Sequence, residues 1–428
     1  AYSPLGFSPR AEDGLAPTYP TGLPLMIAAA QTVLPTDAAV QAVSLAHLVA
    51  GIALMYALAR NSGLGRGLAW LGAGLVGLGP IYLFNGVQPF SDVPSLAWVT
   101  LAWCCLLKSR DREGWAAAAG AALAVAVLLR PTNLLAFPAM LLLLPSVRAL
   151  VWIGLGALPA ALWQLTHAWL TYGNPLTTGY GDISGAFEVR WLALTLPHYA
   201  TQLTLLVSPL LWLAVAGMVW SPLGFRLRAA YAIAALSLLT LYAFYFCTHE
   251  TWWYLRFLLP VFPAMVVLAL GAVSRLIVRV EARAGSEEGR QRWRRATGWL
   301  AVAALALPLA QSVRLDALGP ARSNQIYRQV AAELARPEAR GAVVLAMQAS
   351  GALFHDTDHV VLRFDQLTRE ENTRAVTRAI ELGLPVYAVL FGFDRTTGGD
   401  RLPEGGWLRE QVWGDVELLR WEAPPRAP

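Results

Sequence analysis

Long apolar runs recur between Ala38 and Leu309, separated by short polar gaps. This feature limits the fold more than any other. A chain inside lipid finds no water to satisfy its backbone N–H and C=O groups, and a helix satisfies them internally. About 20 apolar residues make one crossing. Charged residues make up 14% of the 428 positions and hydrophobic ones 56%, whereas soluble domains carry roughly 25% charge. The sequence therefore predicts an α-helical polytopic membrane protein of about ten spans or half-spans.

Spans are predicted near 38–60, 66–84, 93–108, 114–129, 133–146, 149–171, 200–220, 229–247, 257–274 and 297–313. Leu23–Leu34 is too short to cross and suits the interface. Residues 1–22 hold Pro4, Pro9, Pro17 and Pro20 and read as a surface loop. The pair of short segments around Arg130-Pro131-Thr132 suits a broken or re-entrant hairpin. Seventeen Trp and thirteen Tyr fit interfacial belts. Cys104, Cys105 and Cys247 cannot make a disulfide framework, and the adjacent pair reads as packed or lipid-facing.

The basic residues collect in alternate gaps. One set holds Arg60 and Arg66, Lys108 to Arg112, Arg148, Arg226 and Arg228, and the arginines of the 275–295 loop. Between the first and last spans, the opposite set holds only Arg130, Arg190 and Arg256. The positive-inside rule places the first set in the cytoplasm. Residues 1–35 and the tail after Val313 then lie outside. The net charge of +5 is explained by these topology-setting residues and does not argue for a nucleic-acid partner.

Beyond Arg314 charges become frequent and the apolar runs shorten. Ala342–Met347, His359–Leu362, Pro385–Leu390 and Asp415–Trp421 read as strands, and Asn372–Leu382 as a helix ended by Gly383. A small C-terminal α/β extracytoplasmic domain follows, giving an outer segment 1–35, a membrane domain 36–314 and a soluble domain 315–428. No G-x-G-x-x-G or P-loop pattern marks a nucleotide site. The tail sequence His355-Asp356-Thr357-Asp358-His359 has metal-box composition, but a polar loop accounts for it.

The outer gaps carry the chemistry. Asp92 stands at the head of a span, where a carboxylate beside lipid points to function; Ser91 and Asp92 also suit a helix cap. Arg130 interrupts an apolar stretch and has three readings: snorkelling, pairing with an acid, or holding a phosphate with its fixed guanidinium fork. In Thr171–Arg190, Tyr180 offers a ring face for a sugar and Asp182 an acceptor pair for hydroxyls; a plain turn-rich loop is the alternative. His249-Glu250-Thr251-Trp252-Trp253-Tyr254-Leu255-Arg256 is the densest cluster. Its tryptophans suit interfacial anchoring. Arg256 heads an apolar run where an anion would relieve it. His249 and Glu250 form an incomplete divalent-metal pair, and His47, inside a span, reads as packed.

With these residues in view, the chain resembles the GT-C membrane glycosyltransferases, in the branch containing aminoarabinose transferases, protein O-mannosyltransferases and rhizobial lipopolysaccharide sugar transferases. Tyr19-Pro20-Thr21-Gly22 is similar to that family's Tyr-Pro-Pro-Gly segment. Ser91-Asp92-Val93-Pro94 is similar to its acidic span start, and Leu129-Arg130-Pro131-Thr132 to its basic residue between short helices. Tyr254-Leu255-Arg256-Phe257-Leu258-Leu259-Pro260 is similar to its Tyr-x-Arg-Phe-x-x-Pro segment. The resemblance implies transfer of a sugar from a polyprenyl-phosphate-linked donor to a lipid, glycan or protein acceptor, in contact with membrane lipids, outside a bacterial inner membrane. It also implies an acid in a first outer loop that follows a first span. The chain starts at Ala1 with no span before it, so that loop is expected to be missing or represented only by Glu12 and Asp13. Asp92 is then the candidate base, with Arg130 and Arg256 on the donor phosphate. Tyr180, Asp182, His249, Glu250 and Tyr254 shape the sugar or acceptor pocket. No cofactor is required by the residues, although a divalent metal fits the family.

Two rivals remain at this level. A transporter would place polar groups near the midplane in matching halves, whereas here they lie at one interface. A non-catalytic membrane scaffold with a periplasmic domain is the other.

Overall fold

A computed structural model describes residues 3–9, 14–284, 286–320 and 324–422; Glu12 and Asp13 lie outside the described residues. The chain forms two compact units. One comprises Pro20–Thr177 and Gly181–Pro320, the other Ala1–Tyr19, Thr178–Tyr180 and Ala321–Pro428.

The first unit is helical. Among the described residues, five helices are long and apolar enough to cross a membrane: Thr36–Asn61, Val147–Tyr172, Phe225–Ala243, Trp252–Arg283 and Glu287–Arg314. A sixth span results if Arg66–Gly77 and Pro80–Gly86, bent by 61°, count as one. Asp92–Lys108 and Trp115–Leu129 complete the bundle around the site. The chain is thus a helical polytopic membrane protein with a small C-terminal α/β unit.

Prolines account for the departures from the predicted spans. The 200–220 span is two pieces. Leu192–Leu206 ends before an extended Ser208, and Pro209–Trp212 then leads into Leu213–Val219. The residue before a proline is pushed out of the α region. The 133–146 span is replaced by a 3-10 turn, Pro131–Leu135, and the short helix Ala136–Leu141. Trp252–Val261 winds as a 3-10 helix before Phe262–Arg283. Pro260 and Pro263 lack the N–H groups that an α ladder would draw on here. The predicted 275–295 loop is also largely helical, because Phe262–Arg283 and Glu287–Arg314 run into it from both sides.

Close helix packing relies on small residues, as expected where lipid removes the hydrophobic drive between spans. A Cβ on Gly120 would stand 2.0 Å from the Ile153 carbonyl oxygen, and one on Gly156 would stand 1.9 Å from that of Ala117. Trp115–Leu129 and Val147–Tyr172 therefore meet backbone to backbone. The basic helix ends are tied together. Ser62 Oγ lies 2.9 Å from the Tyr231 hydroxyl, Lys108 stands over Trp115 at 5.0 Å, and Arg279 over Trp220 at 4.7 Å. The opposite ends of these helices carry Asp92, Arg130 and Tyr242.

In the second unit, residues 7–17 hold more than the predicted loop. β1 (Phe7–Pro9) and β2 (Leu15–Pro17) pair antiparallel, with Phe7 opposite Pro17. The tail forms a five-stranded sheet from β3 (Val343–Ala346), β4 (Val360–Leu362), β5 (Val386–Leu390), β6 (Trp407–Trp413) and β7 (Val416–Trp421). The order is β4-β3-β5-β7-β6. β3 runs parallel to β4 and β5, while β7 is antiparallel to β5 and β6. Both faces are covered. Val344, Ala346 and Val389 join Val330, Leu334 and Leu353 on one side; Val343, Leu345 and Ala388 join Val376 and Ala379 on the other. Burial on both faces explains why β3 and β5 read as continuous apolar runs.

Candidate functional site

Asp92 opens the helix Asp92–Lys108, and Ser91 fills the cap position without accepting from a first-turn amide. The capping reading is not realised. Asp92 is instead 2% exposed, and its carboxylate sits in the first turn, where the helix dipole favours negative charge. Arg130 follows the last residue of Trp115–Leu129 with an extended backbone, so its positive charge faces that helix's negative end. The arginine does not snorkel. Its Nη2 lies 2.9 Å from Asp92 Oδ1, and its Nε donates to Ser91 Oγ at 3.3 Å. The ion pair is close in distance but not aligned as a hydrogen bond, and Asp92 Oδ1 remains buried without a hydrogen-bond donor.

Arg256 completes the group. Phe257 lies 5.1 Å from the Arg130 guanidinium carbon and 5.4 Å from that of Arg256. Arg256 also stands 4.9 Å over Phe90 and 5.6 Å over Tyr254. Its Nε is buried and unpartnered. A guanidinium in rings alone gains cation–π attraction but keeps its donor fork open, the geometry that suits phosphate. Asp92, Arg130 and Arg256 therefore converge.

The aromatic hub was not anticipated. Phe257 stacks on Tyr242 at 4.7 Å and on Tyr254 at 5.7 Å, and the Tyr242 hydroxyl lies 3.3 Å from Thr132 Oγ1. Tyr254 and Phe257 are three residues apart, and a 3-10 winding places such residues in one column. That spacing was the available signal, although the sequence reading used only Tyr254 of the pair, as a pocket residue.

The remaining candidates divide. Tyr254 belongs to the hub, and the charges of Glu250 and Arg256 both act on it. Glu250 is exposed. The His249 ring stacks on Trp191 at 5.5 Å, with its Nδ1 buried and unpartnered, and His198 is close enough to feel its charge. Tyr180 packs edge-on against Tyr19 within the other unit. Asp182 is exposed and accepts from the Ser184 amide at 2.9 Å. Hydrogen bonds from the Ser184 backbone and then its side chain hold the Asp182 carboxyl below its ordinary range. The described contacts tie neither Tyr180 nor Asp182 to the arginines. His47 is packed, with its Nε2 3.1 Å from Trp98 Nε1. Among the described residues no three His, Cys, Asp or Glu side chains gather as a metal set.

An apolar groove of about 450 Å³ lies among Leu192–Leu206, Leu213–Val219, Phe225–Ala243 and Phe262–Arg283. Leu196, Leu203, Trp212, Leu239 and Met265 line it. Tyr199 joins this lining, and its buried hydroxyl finds no partner. Tyr199 lies near Tyr242, so the groove leads toward the aromatic hub.

No protein-family model matches the chain, and no curated protein matches it. Solved structures do. The apo oligosaccharyltransferase of Archaeoglobus fulgidus superposes with a TM-score of 0.56 at 12% identity, over 90% of this chain and 63% of that one. The same enzyme tethered to an acceptor peptide with an NVT sequon gives 0.56 at 13%, over 98% and 68%. ArnT from Cupriavidus metallidurans bound to undecaprenyl phosphate gives 0.51 at 15%, over 96% and 89%. Against the apo oligosaccharyltransferase the chain therefore spans less than two thirds of its relative's length. These neighbours are GT-C glycosyltransferases, and this chain has the GT-C fold.

Proposed function

We propose that this chain is a membrane glycosyltransferase of the bacterial inner membrane, moving a sugar from a polyprenyl-phosphate donor to a hydroxyl of a lipid, glycan or protein acceptor on the extracytoplasmic face. The C-terminal unit lies on that same side. The observation that carries this reading is Arg256. It is a half-buried guanidinium with three aromatic neighbours and no acid, placed beside the buried Asp92–Arg130 pair. An anionic ligand supplies what it lacks.

The chemistry follows from charge. Asp92 takes the proton of the acceptor hydroxyl as its oxygen attacks the anomeric carbon. The bond from that carbon to the phosphate oxygen breaks, and its electron pair leaves with the phosphate. Arg256 and Arg130 meet the growing charge with fixed donors, usually a large part of catalysis. The groove along Leu203 and Met265 takes the prenyl tail. Tyr254, His249 and Glu250 border the sugar, and Tyr180 and Asp182 are assigned to the acceptor side. No step is derived through a divalent ion, because the described residues do not form a set to hold one.

Reconstituted protein is incubated with a radiolabelled undecaprenyl-phosphate sugar and membrane extract as acceptor source. Labelled product that disappears in Arg256→Ala supports the reading. Equal product from Arg256→Ala removes it, and uptake of solute into vesicles without product favours a transporter.

A further inference from the structure

The second unit holds a concavity that the proposed reaction does not use. It measures about 520 Å³, within the roughly 300–1,000 Å³ range of small-molecule sites. It opens at the carboxyl end of β5, beside the β6–β7 turn, where open α/β sheets tend to bind ligands.

Its walls are aromatic. Tyr327 stacks on Phe391 at 5.5 Å, and Phe391 meets Phe393 at 5.7 Å. Trp413 faces them from the end of β6. Phe393 is 46% exposed, a high value for a phenyl ring in a unit whose sheet is covered on both faces. The Tyr327 hydroxyl accepts from Gln348 Nε2 at 3.0 Å, which fixes that ring. The rim is polar but uncharged on its helix side, where Gln325 and Gln329 are exposed. Asp415 closes the other side. A Cβ on Gly392 would stand 3.3 Å from its carboxylate, so the glycine between the two phenylalanines gives the acid room.

We infer that this pocket binds a neutral saccharide, with the flat aliphatic face of the sugar ring on Trp413 and Phe393 and its hydroxyls on Gln325, Gln329 and Asp415. Aromatic faces over apolar C–H groups together with amide and carboxylate partners for hydroxyls are the two halves of such recognition. Charge argues against other ligands of that size. No Lys or Arg lines the pocket among the described residues, and Asp415 does, so a nucleotide or a phosphate headgroup would meet repulsion where it needs a cation. Assigning the saccharide to the acceptor glycan rests on the glycosyl-transfer reading; the binding itself does not.

The test uses the whole chain in nanodiscs of uncharged lipid. Saturation-transfer NMR is recorded with methyl glycosides of mannose, galactose and rhamnose, with N-acetylglucosamine, and with ATP and inorganic phosphate. At least one neutral sugar is expected to bind. Affinity should fall about tenfold or more in Phe393→Ala and Trp413→Ala, as when an aromatic anchor is truncated. Trp413→Phe should recover part of it, and Arg256→Ala should leave it unchanged. Because Phe393 is exposed, its variant should melt with the parent and report binding alone. Silence from all four sugars, binding that survives both truncations, or preference for ATP or phosphate overturns the inference. Absence of sugar transfer by the parent protein, with pocket binding intact, counts against the catalytic reading only.

Discussion

Two arginine–carboxylate pairs, one in each unit, show how differently the same chemistry is used. In the second unit Arg363 is 6% exposed. It grips Asp365 with both arms of its fork, Nε at 2.6 Å and Nη2 at 2.5 Å, each on its own carboxylate oxygen. Arg401 adds a further bond to the Asp365 carbonyl. In the membrane unit Arg130 reaches Asp92 with one misaligned nitrogen at 2.9 Å, and Arg256 nearby has no acid. A bidentate fork closes on itself. A buried charge left partly unsatisfied is costly, a cost that the proposed anionic ligand would offset. The first pair organises a fold; the second, with its surplus guanidinium, is open to a ligand.

Asp92→Ala should break this contrast hardest. Loss of a general base costs about 10²–10⁴ in turnover. It also breaks the buried Asp92–Arg130 ion pair, so both transfer assays and thermal melts in detergent should fall. Arg256→Ala separates the two effects. Transfer should drop about 10²–10³-fold, in the range for one electrostatic donor, while the melt moves little because no ion pair is broken. A large melting shift in that variant would mean that Arg256 is structural. Asp365→Ala should do the reverse. It should destabilise the second unit by a few kcal/mol, seen as earlier protease cleavage there, with transfer per folded molecule retained.

The smallest effect concerns Asp394. Burial pushes its carboxyl up to about 6, partly offset by the Phe391 amide, while one oxygen stays unpartnered. Between about pH 4 and 6 the folded carboxyl keeps a proton that the unfolded chain has lost. Stability of this unit should therefore fall as pH rises through that window, by about 2–3 kcal/mol, and then level off. Asp394→Asn should flatten the profile in pH-resolved denaturation.

The spans were legible because lipid imposes length and apolarity, and Thr36–Asn61 and Val147–Tyr172 lie within a few residues of their predicted bounds. The break at Ser208-Pro209 was less so, since hydropathy continues through a proline that the backbone cannot follow. Asp92, Arg130 and Arg256 stood out as charges beside lipid. Their mutual contact did not, because convergence of three helix ends is a tertiary fact. Phe90, Tyr242 and Phe257 were hidden among many rings, none of which its sequence position set apart. β6 escaped notice because Trp407–Trp413 alternates around Arg409, Glu410 and Gln411 at an exposed sheet edge, where charge is tolerated and an apolar run is not needed.

The stretch from Trp252 to Val261 is unusual for its length, since 3-10 turns seldom run beyond three or four residues. At about 2.0 Å per residue it stands some 20 Å tall, whereas an α coil of the same ten residues would occupy about 15 Å. The 3-10 winding thus spreads the segment that bears Arg256 and its surrounding rings over roughly 5 Å more length than an α coil would, directly in front of a span.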